Sequence, residues 1–152
     1  MRSSLLTTAL ALAAGPALAA DPVEGPWMID SETQVQVEPC AERRERMCGV
    51  ITWLKHAYDK SGQPARDVAN PDPKLRSRPV VGMPFIHDLH HVEPGHWTGG
   101  KMYDPADGKT YESSMRINPD GTLKLDGCVL IICESQIWRR PTEPRAAGAR
   151  NP

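Results

Sequence analysis

Short segments with strand-like patterns of apolar and polar residues make up most of the chain. Residues 34–37 alternate between polar and apolar side chains, and residues 49–55 are rich in β-branched and aromatic side chains. Alternation with a period of two places one set of side chains on each face of a strand, so both segments are predicted to be strands. Helical periodicity is nearly absent, and residues 41–47 leave room for a turn or two at most. The pattern predicts an all-β protein.

The most regular part of the pattern is a series of strands joined by tight turns. The turns at residues 104–108 and 118–121 contain Pro and Gly, which supply the dihedral angles that tight turns need. Consecutive antiparallel strands commonly close into a barrel, because closure removes the unpaired edges of the sheet. We therefore predict a small antiparallel up-and-down β-barrel. Its best-defined strands are predicted at residues 96–103, 109–117, 122–126 and 133–140.

Three segments depart from this regular pattern. Residues 59–79 are polar and rich in proline, and we expect them to form a long surface excursion suited to the rim of a barrel. Residues 80–89 are apolar again, but Pro84 favours an edge strand or a bulge there. Residues 129–132 are apolar throughout, and we expect them at a buried strand end with a bulge at Gly127.

The start of the chain resembles a secretory signal peptide. In residues 1–19, Arg2 supplies a positive charge, an apolar stretch too short to span a bilayer follows, and residues 17–19 form a small-residue cleavage site. Cleavage after residue 19 of 152 would leave 133 residues, which fits one domain. We expect a single β-barrel domain over residues 20–141, a disordered tail over residues 142–152, and a periplasmic or secreted location.

Acidic and basic side chains are nearly balanced. The chain has 18 Lys and Arg against 19 Asp and Glu, a formal net charge of −1. This balance provides no overall electrostatic attraction to nucleic acid or to an anionic membrane. We expect no nucleic-acid partner and no membrane span, and the charge pattern does not identify a protein partner.

Four cysteines in an exported chain of this size indicate disulfides rather than reduced thiols. Three pairings are possible in principle. The spacings between the cysteines along the chain do not match those of zinc ribbons or thioredoxin-like sites. The near pairs close short loops without any assumed tertiary contact, so we predict the bonds Cys40–Cys48 and Cys128–Cys133.

An ordered set of motifs resembles a known family. The set comprises Trp97-Thr-Gly-Gly100, Tyr103-Asp-Pro-x-x-Gly-Lys-x-Tyr111, Gln136-x-Trp138-x-Arg140, Asp67-x-x-Asn70-Pro71 and Arg78-Pro79, together with Cys48-Gly49, Trp53, Gly82, Leu123 and Gly127. It is similar to the secreted bacterial "domain of unknown function 2147" family, over roughly residues 25–141. That family resembles lipocalins in fold and brings no established reaction.

The resemblance also implies how the barrel closes. In lipocalin-like barrels, a Gly-x-Trp on the first strand packs beneath an Arg from the last strand. Gly25, Trp27 and Arg140 match those places, with Pro26 in the middle position. We therefore expect Trp27 and Trp138 in the core of a closed barrel end, with the Arg140 guanidinium against the Trp27 ring.

A histidine-rich segment is the sharpest local chemical feature. Neutral imidazole is a common ligand for zinc, copper and nickel. The resemblance does not include these histidines, so a polar hairpin loop that happens to contain histidine is the favoured interpretation of residues 87–91. The alternative is a metal site formed by His87, His90, His91 and His96.

No nucleophile–base or acid–base motif stands out, so we expect a non-enzymatic protein without a cofactor. The leading hypothesis is an exported binding protein for a small apolar or amphipathic ligand that enters at the open end of the barrel. The alternatives are a periplasmic metal-handling protein and a solid barrel that serves as a protein-interaction module. For the ligand site, we predict Trp53 and Tyr103 as lining and Asp67, Arg76 and Arg78 as polar groups.

Overall fold

The computed structural model describes residues 19–143 and 145–146. Within them the chain forms eight strands and one short 3-10 helix, which lies between the third and fourth strands at Pro73–Leu75. The strands are β1 (Gly25–Met28), β2 (Thr33–Pro39), β3 (Arg46–Leu54), β4 (Pro84–Glu93), β5 (His96–Asp104), β6 (Lys109–Ile117), β7 (Leu123–Val129) and β8 (Ile132–Trp138).

The strands form one antiparallel sheet in which each strand pairs with the next along the chain. This order confirms the predicted all-β, up-and-down architecture. The sheet curls until its two ends meet at one bridge, where the backbone of Met28 exchanges hydrogen bonds of 2.8 and 3.1 Å with that of Arg139. In the described residues this bridge joins the two ends of the sheet, and β8 itself pairs with β7 along its length.

One face of the curled sheet forms the core. In β3, every second residue is buried, as expected for a strand with one face inside. Burying a large apolar side chain stabilises the fold by about 1.5–3 kcal/mol. The largest fully buried side chains are Trp27, Met47, Ile51, Ile86, Leu89, Met115, Leu123, Leu125 and Trp138.

Trp27 and Arg140 close one end of the barrel. Trp27 is fully buried, and its indole N–H donates to the Val23 carbonyl at 2.7 Å. The Arg140 guanidinium carbon lies 3.7 Å from the centre of the Trp27 ring, and its N–H groups donate to Pro22 and Pro26 carbonyls at 2.8 and 3.2 Å. Gly25 has a φ of 111°, and a Cβ there would lie 2.8 Å from Arg140 Nη1. A side chain at position 25 would therefore displace the arginine.

The second tryptophan of this region also lies in the core. Trp138 is fully buried, and its ring centre lies 6.0 Å from that of Phe85. Its indole N–H donates to Gln136 Oε1 at 3.0 Å, which satisfies the polar atom that burial would otherwise leave without a partner. The tryptophan therefore links the end of β8 to the start of β4.

Three local predictions are wrong. Residues 87–91 are not a hairpin loop but part of β4, which extends to Glu93. Residues 129–132 are not buried; they form the exposed tip of the β7–β8 hairpin. The register across Gly127 is regular on both sides, so there is no bulge. The first error arose because a polar, histidine-rich sequence was equated with a loop, and the second because an apolar run was equated with burial.

Both predicted disulfides are present. Cys40 bonds to Cys48 across the β2–β3 connection, and Cys128 bonds to Cys133 across the β7–β8 hairpin. The described residues between Cys40 and β3 form turns and a bend but no helix. Each bond closes a short loop, for which chain-entropy estimates give roughly 2–3 kcal/mol.

Two predicted segments fall largely outside the described residues. Of the predicted signal peptide at residues 1–19, the structure describes residue 19 alone. Of the predicted tail at residues 142–152, it describes residues 142, 143, 145 and 146. In that tail, Arg145 exchanges hydrogen bonds of 2.9 and 3.0 Å with the Gln34 side chain. Its guanidinium carbon also lies 4.2 Å from the centre of the Trp53 ring.

The closure at Trp27 and Arg140 generates a stability prediction. Arg140→Ala removes a cation–π contact worth about 0.5–1 kcal/mol at an exposed site and two hydrogen bonds to carbonyls. We expect a loss of about 1–2 kcal/mol, which lowers the melting temperature by several degrees. Arg139→Ala is the matched control, because Arg139 bonds to Met28 through its backbone. Equal losses in both variants, measured by calorimetry, would contradict a specific role for Arg140.

Candidate functional site

The two ends of the barrel differ in how they are covered. The Trp27–Arg140 end carries the short β4–β5 and β6–β7 turns. At the opposite end, which we call the open end, β3 finishes and β4 begins, and a long excursion at residues 55–83 connects them. The β5–β6 and β7–β8 turns lie at the same end, because alternate connections of an antiparallel meander share an end.

A buried carboxylate organises the long excursion. Asp67 is fully buried, and its Oδ1 accepts a hydrogen bond of 2.6 Å from the Tyr103 hydroxyl. Its Oδ2 accepts hydrogen bonds from Asn70 Nδ2 at 2.7 Å and from Arg78 Nε at 2.9 Å. Arg78 Nη2 also lies 2.8 Å from the same Oδ2 and completes an ion pair. The Arg78 guanidinium also lies over the Tyr103 ring, 5.5 Å from its centre. We call these four residues the Asp67 cluster.

The cluster shifts the ionisation of two of its members. Burial alone would raise the pKa of Asp67, but hydrogen bonds from Tyr103, Asn70 and Arg78 stabilise the carboxylate and together lower that pKa below its ordinary value. Burial and the hydrogen bond to Asp67 raise the pKa of Tyr103 to about 12. At neutral pH the cluster therefore holds a charged carboxylate and a neutral phenol.

The excursion is packed tightly against the β5–β6 turn. Gly108 has a φ of 71°, and a Cβ there would lie 2.0 Å from the Ala69 carbonyl oxygen, so no side chain fits between the two segments. Arg76 Nε donates to the Asn70 carbonyl at 2.7 Å, and Arg66 donates to the Ser77 carbonyl. These bonds fix the excursion as a structured cover on one side of the open end.

A cavity of about 340 Å³ lies at the open end. It reaches from the β5–β6 turn down to core residues, and we call it the mouth cavity. Its apolar lining is provided by Ile29, Ile51, Leu54, Val80 and Phe85, and its polar lining by Thr33, Asp104 and Gln136, with Pro105 and Ala106 from the turn. An apolar wall with a few polar groups is typical of small-molecule sites.

A second cavity of about 290 Å³ lies between β3 and the excursion. Its wall includes Trp53, Ala57, Tyr58, Pro64 and Val81. Trp53 is 2% exposed, and its indole Nε1 is buried without a hydrogen-bond partner among the described residues. We call this second space the Trp53 cavity.

The predicted ligand residues are divided between these features. Trp53 lines the Trp53 cavity, whereas Asp67, Arg78 and Tyr103 bind one another in the Asp67 cluster. Arg76 bonds to the backbone of Asn70 within the excursion. None of these five is among the residues that line the mouth cavity. Their direct role in ligand binding stays a prediction.

The predicted metal residues take separate partners. His87 is half-buried, and burial followed by the nearby charge of Arg78 lowers its pKa. His91 packs edge-on against Trp97 with ring centres 4.9 Å apart. His96 Nδ1 lies 2.8 Å from Arg116 Nη2, and His90 is exposed opposite Thr98. In residues 19–143 and 145–146, no three His, Cys, Asp or Glu side chains are grouped to hold a metal ion.

The residues of the mouth cavity were missed because no single motif marks them. They come from five strands and three connections and meet when the sheet curls. Two signals were available in the sequence: Ile51 belongs to the predicted strand at residues 49–55, and the predicted turn at residues 104–108 contains Ala106. Neither signal identifies a cavity unless the end of the barrel on which each residue lies is known.

Comparison with known proteins agrees with this architecture. Residues 25–140 match the model of the family described as "Uncharacterized protein conserved in bacteria (DUF2147)", and the chain belongs to that family. A solved structure described as "Protein HP1028 from the human pathogen Helicobacter pylori belongs to the lipocalin family" is similar, with a TM-score of 0.64 and 24% sequence identity. The likeness covers 80% of this chain and 84% of that chain. None of the curated proteins matches the chain. The predicted family and the lipocalin-like fold are thus confirmed.

Two features bear on the compartment. The paired cysteines are compatible with an exported protein. Across the described part of the chain, no helix has the length and apolar character needed to cross a membrane.

The Asp67 cluster generates a prediction about stability. Tyr103→Phe removes a hydrogen bond to a buried carboxylate, and such bonds contribute about 1.5–3 kcal/mol. We expect a loss of that size in the free energy of unfolding, measured by urea denaturation. Tyr111→Phe is the matched control, since the Tyr111 hydroxyl donates to Asp107 at an exposed site and its loss should change the midpoint little. Similar losses in both variants would contradict a special role for the cluster.

The cluster also predicts how stability depends on pH. The pKa of Asp67 is lowered in the folded protein, so its contribution is present above about pH 4, the ordinary Asp range, and is lost as the pH falls through the folded value. Asp67→Asn should therefore be less stable at pH 7 and show a smaller further loss on acidification. Asp59→Asn, at an exposed turn, should retain most of the wild-type acid dependence. Urea midpoints at pH 7 and pH 3 that change in parallel in all three proteins would contradict this assignment.

Proposed function

We propose that this chain is an exported binding protein that holds a small apolar or amphipathic ligand in the mouth cavity. The observation that carries the proposal is a cavity of about 340 Å³ that extends from the open end to core residues Ile51 and Phe85. Small-molecule sites commonly occupy about 300–1,000 Å³, and eight-stranded barrels of the lipocalin type have room for one small ligand. The Trp27–Arg140 closure at the other end leaves the open end as the route for the ligand.

The lining of the mouth cavity indicates the chemistry of the ligand. Its apolar side chains suit a hydrocarbon body, and Thr33 and Gln136 offer hydrogen bonds to a polar head. Asp104 is the charged residue of the lining, and no basic residue accompanies it there. An anionic head would be repelled by this carboxylate, so we propose a ligand with a neutral head.

The same lining supports binding without catalysis. Its possible nucleophiles are the Thr33 hydroxyl and the Asp104 carboxylate, and no His, Cys or Ser accompanies them in the lining among the described residues. We therefore propose that these walls hold a ligand in place without reacting with it. The lipocalin-like fold of the chain is consistent with this role.

Binding is tested by calorimetric titration of the protein with dodecanol and with dodecanoate at pH 7. We expect dodecanol to bind more tightly, because its neutral hydroxyl avoids repulsion by Asp104. Ala106→Trp places a large side chain at the exposed rim of the mouth cavity and should weaken binding at least about tenfold, since it fills space that the ligand needs.

The matched control is Ala57→Trp, which fills the Trp53 cavity instead. It should leave dodecanol binding unchanged. If dodecanol binding were weakened in Ala57→Trp alone, the ligand site would be the Trp53 cavity instead. If dodecanoate bound more tightly than dodecanol, the proposal of a neutral head group would be contradicted. Failure of the wild-type protein to bind either amphiphile would contradict the proposed function.

A further inference from the structure

The β7–β8 hairpin carries the most exposed apolar surface of the described chain. Leu130 is 94% exposed and Ile131 is 96% exposed, and their neighbours Val129 and Ile132 are 51% and 73% exposed. We call these four residues the apolar tip. Such large apolar side chains do not aid solubility, and a contiguous group of them commonly marks an interaction surface.

The apolar tip is not explained by the needs of the turn. Leu130 has a φ of 55°, a conformation that favours Gly, Asn or Asp in hairpin turns. A leucine there is strained, and a polar turn residue would be both more stable and more soluble. The aliphatic side chains at this position therefore have a role other than forming the turn.

A disulfide bond joins the two strands at the base of the apolar tip. Cys128 and Cys133 lie opposite each other in the β7–β8 pairing and are joined by a disulfide. The bond fixes the base of the tip, from which residues 129–132 project into solvent. Residues 127–133 contain no charged side chain.

We propose that the apolar tip inserts into the surface of a lipid bilayer and docks the protein there. The exposure of the tip on all sides favours a bilayer over a flat protein surface. A side chain that is exposed on all sides transfers nearly all its apolar area to a medium that surrounds it, whereas a flat protein surface covers one side. Insertion of four aliphatic side chains gives reversible binding without a membrane span.

The charges around the hairpin indicate which bilayer is recognised. Lys124 forms an ion pair of 3.0 Å with Asp126, and Glu134 follows the disulfide, so the hairpin offers no unpaired cluster of basic residues. Docking would therefore depend on apolar insertion and be insensitive to salt. The apolar tip lies at the same end of the barrel as the mouth cavity, so docking would bring the mouth close to the bilayer. This last consequence rests on the proposed function, but docking itself does not.

The test is flotation of the full-length protein with phosphatidylcholine vesicles at low and high salt. We expect the wild-type protein to float with the vesicles at both salt concentrations. The double variant Leu130→Ser with Ile131→Ser should lower the partition coefficient at least about tenfold, because it removes most of the inserted apolar area. Val68→Ser is the matched control: Val68 is 71% exposed on the excursion and should not affect flotation.

A second measurement locates the inserted residue. In Ile131→Trp, vesicles with brominated acyl chains should quench the added tryptophan, whereas in Val68→Trp they should not. Wild-type protein that fails to float, or a double variant that floats equally well, would overturn the proposal. Concentration-dependent dimers abolished by the double variant, without flotation, would instead assign the tip to a second copy of this chain. Wild-type protein that floats with the vesicles but does not bind dodecanol would contradict the proposed function and leave the docking proposal intact.

Discussion

The backbone bridge between Met28 and Arg139 is the constraint on which the shape of the molecule depends. An eight-stranded meander can bury one face by bringing its ends together, and here they meet at this point. Because the bridge lies beside Trp27 and Arg140, closure, tryptophan burial and cation–π contact reinforce one another at one end of the barrel. Beyond this bridge, β1 and β8 do not pair with each other among the described residues, and the cavity and the excursion lie at the other end of the barrel.

The Asp67 cluster fixes the position of the excursion at the open end, just as the Met28–Arg139 bridge fixes the two ends of the sheet at the closed end. A proline-rich polar segment cannot build a core of its own, so its position must come from a few strong interactions. A buried carboxylate with three side-chain donors provides them, and it is satisfied only when Asn70, Arg78 and Tyr103 are all in place. The requirement for all three partners gives the excursion one defined arrangement, since an unpaired buried charge is costly.

The parts of the fold that were predicted from the sequence are those set by local rules. The hairpin from His96 to Ile117 follows from period-two alternation and a Pro- and Gly-containing turn, and the two disulfides follow from short loops. The errors occurred where burial depends on tertiary placement: the histidines lie in β4, and the run at residues 129–132 projects into solvent. The mouth cavity could not be predicted, because residues such as Ile29, Phe85 and Gln136 meet only through the curvature of the sheet.

The Cys128–Cys133 bond also bears on how the newly synthesised chain behaves before its cysteines are oxidised. A run of aliphatic residues without charge or proline is the kind of segment that stacks into intermolecular β-structure. In the oxidised protein the bond confines that run to a hairpin turn, where too few backbone groups align to recruit another molecule. The reduced chain has no such restraint. We therefore expect disulfide formation to lower the tendency of this run to pair with another chain.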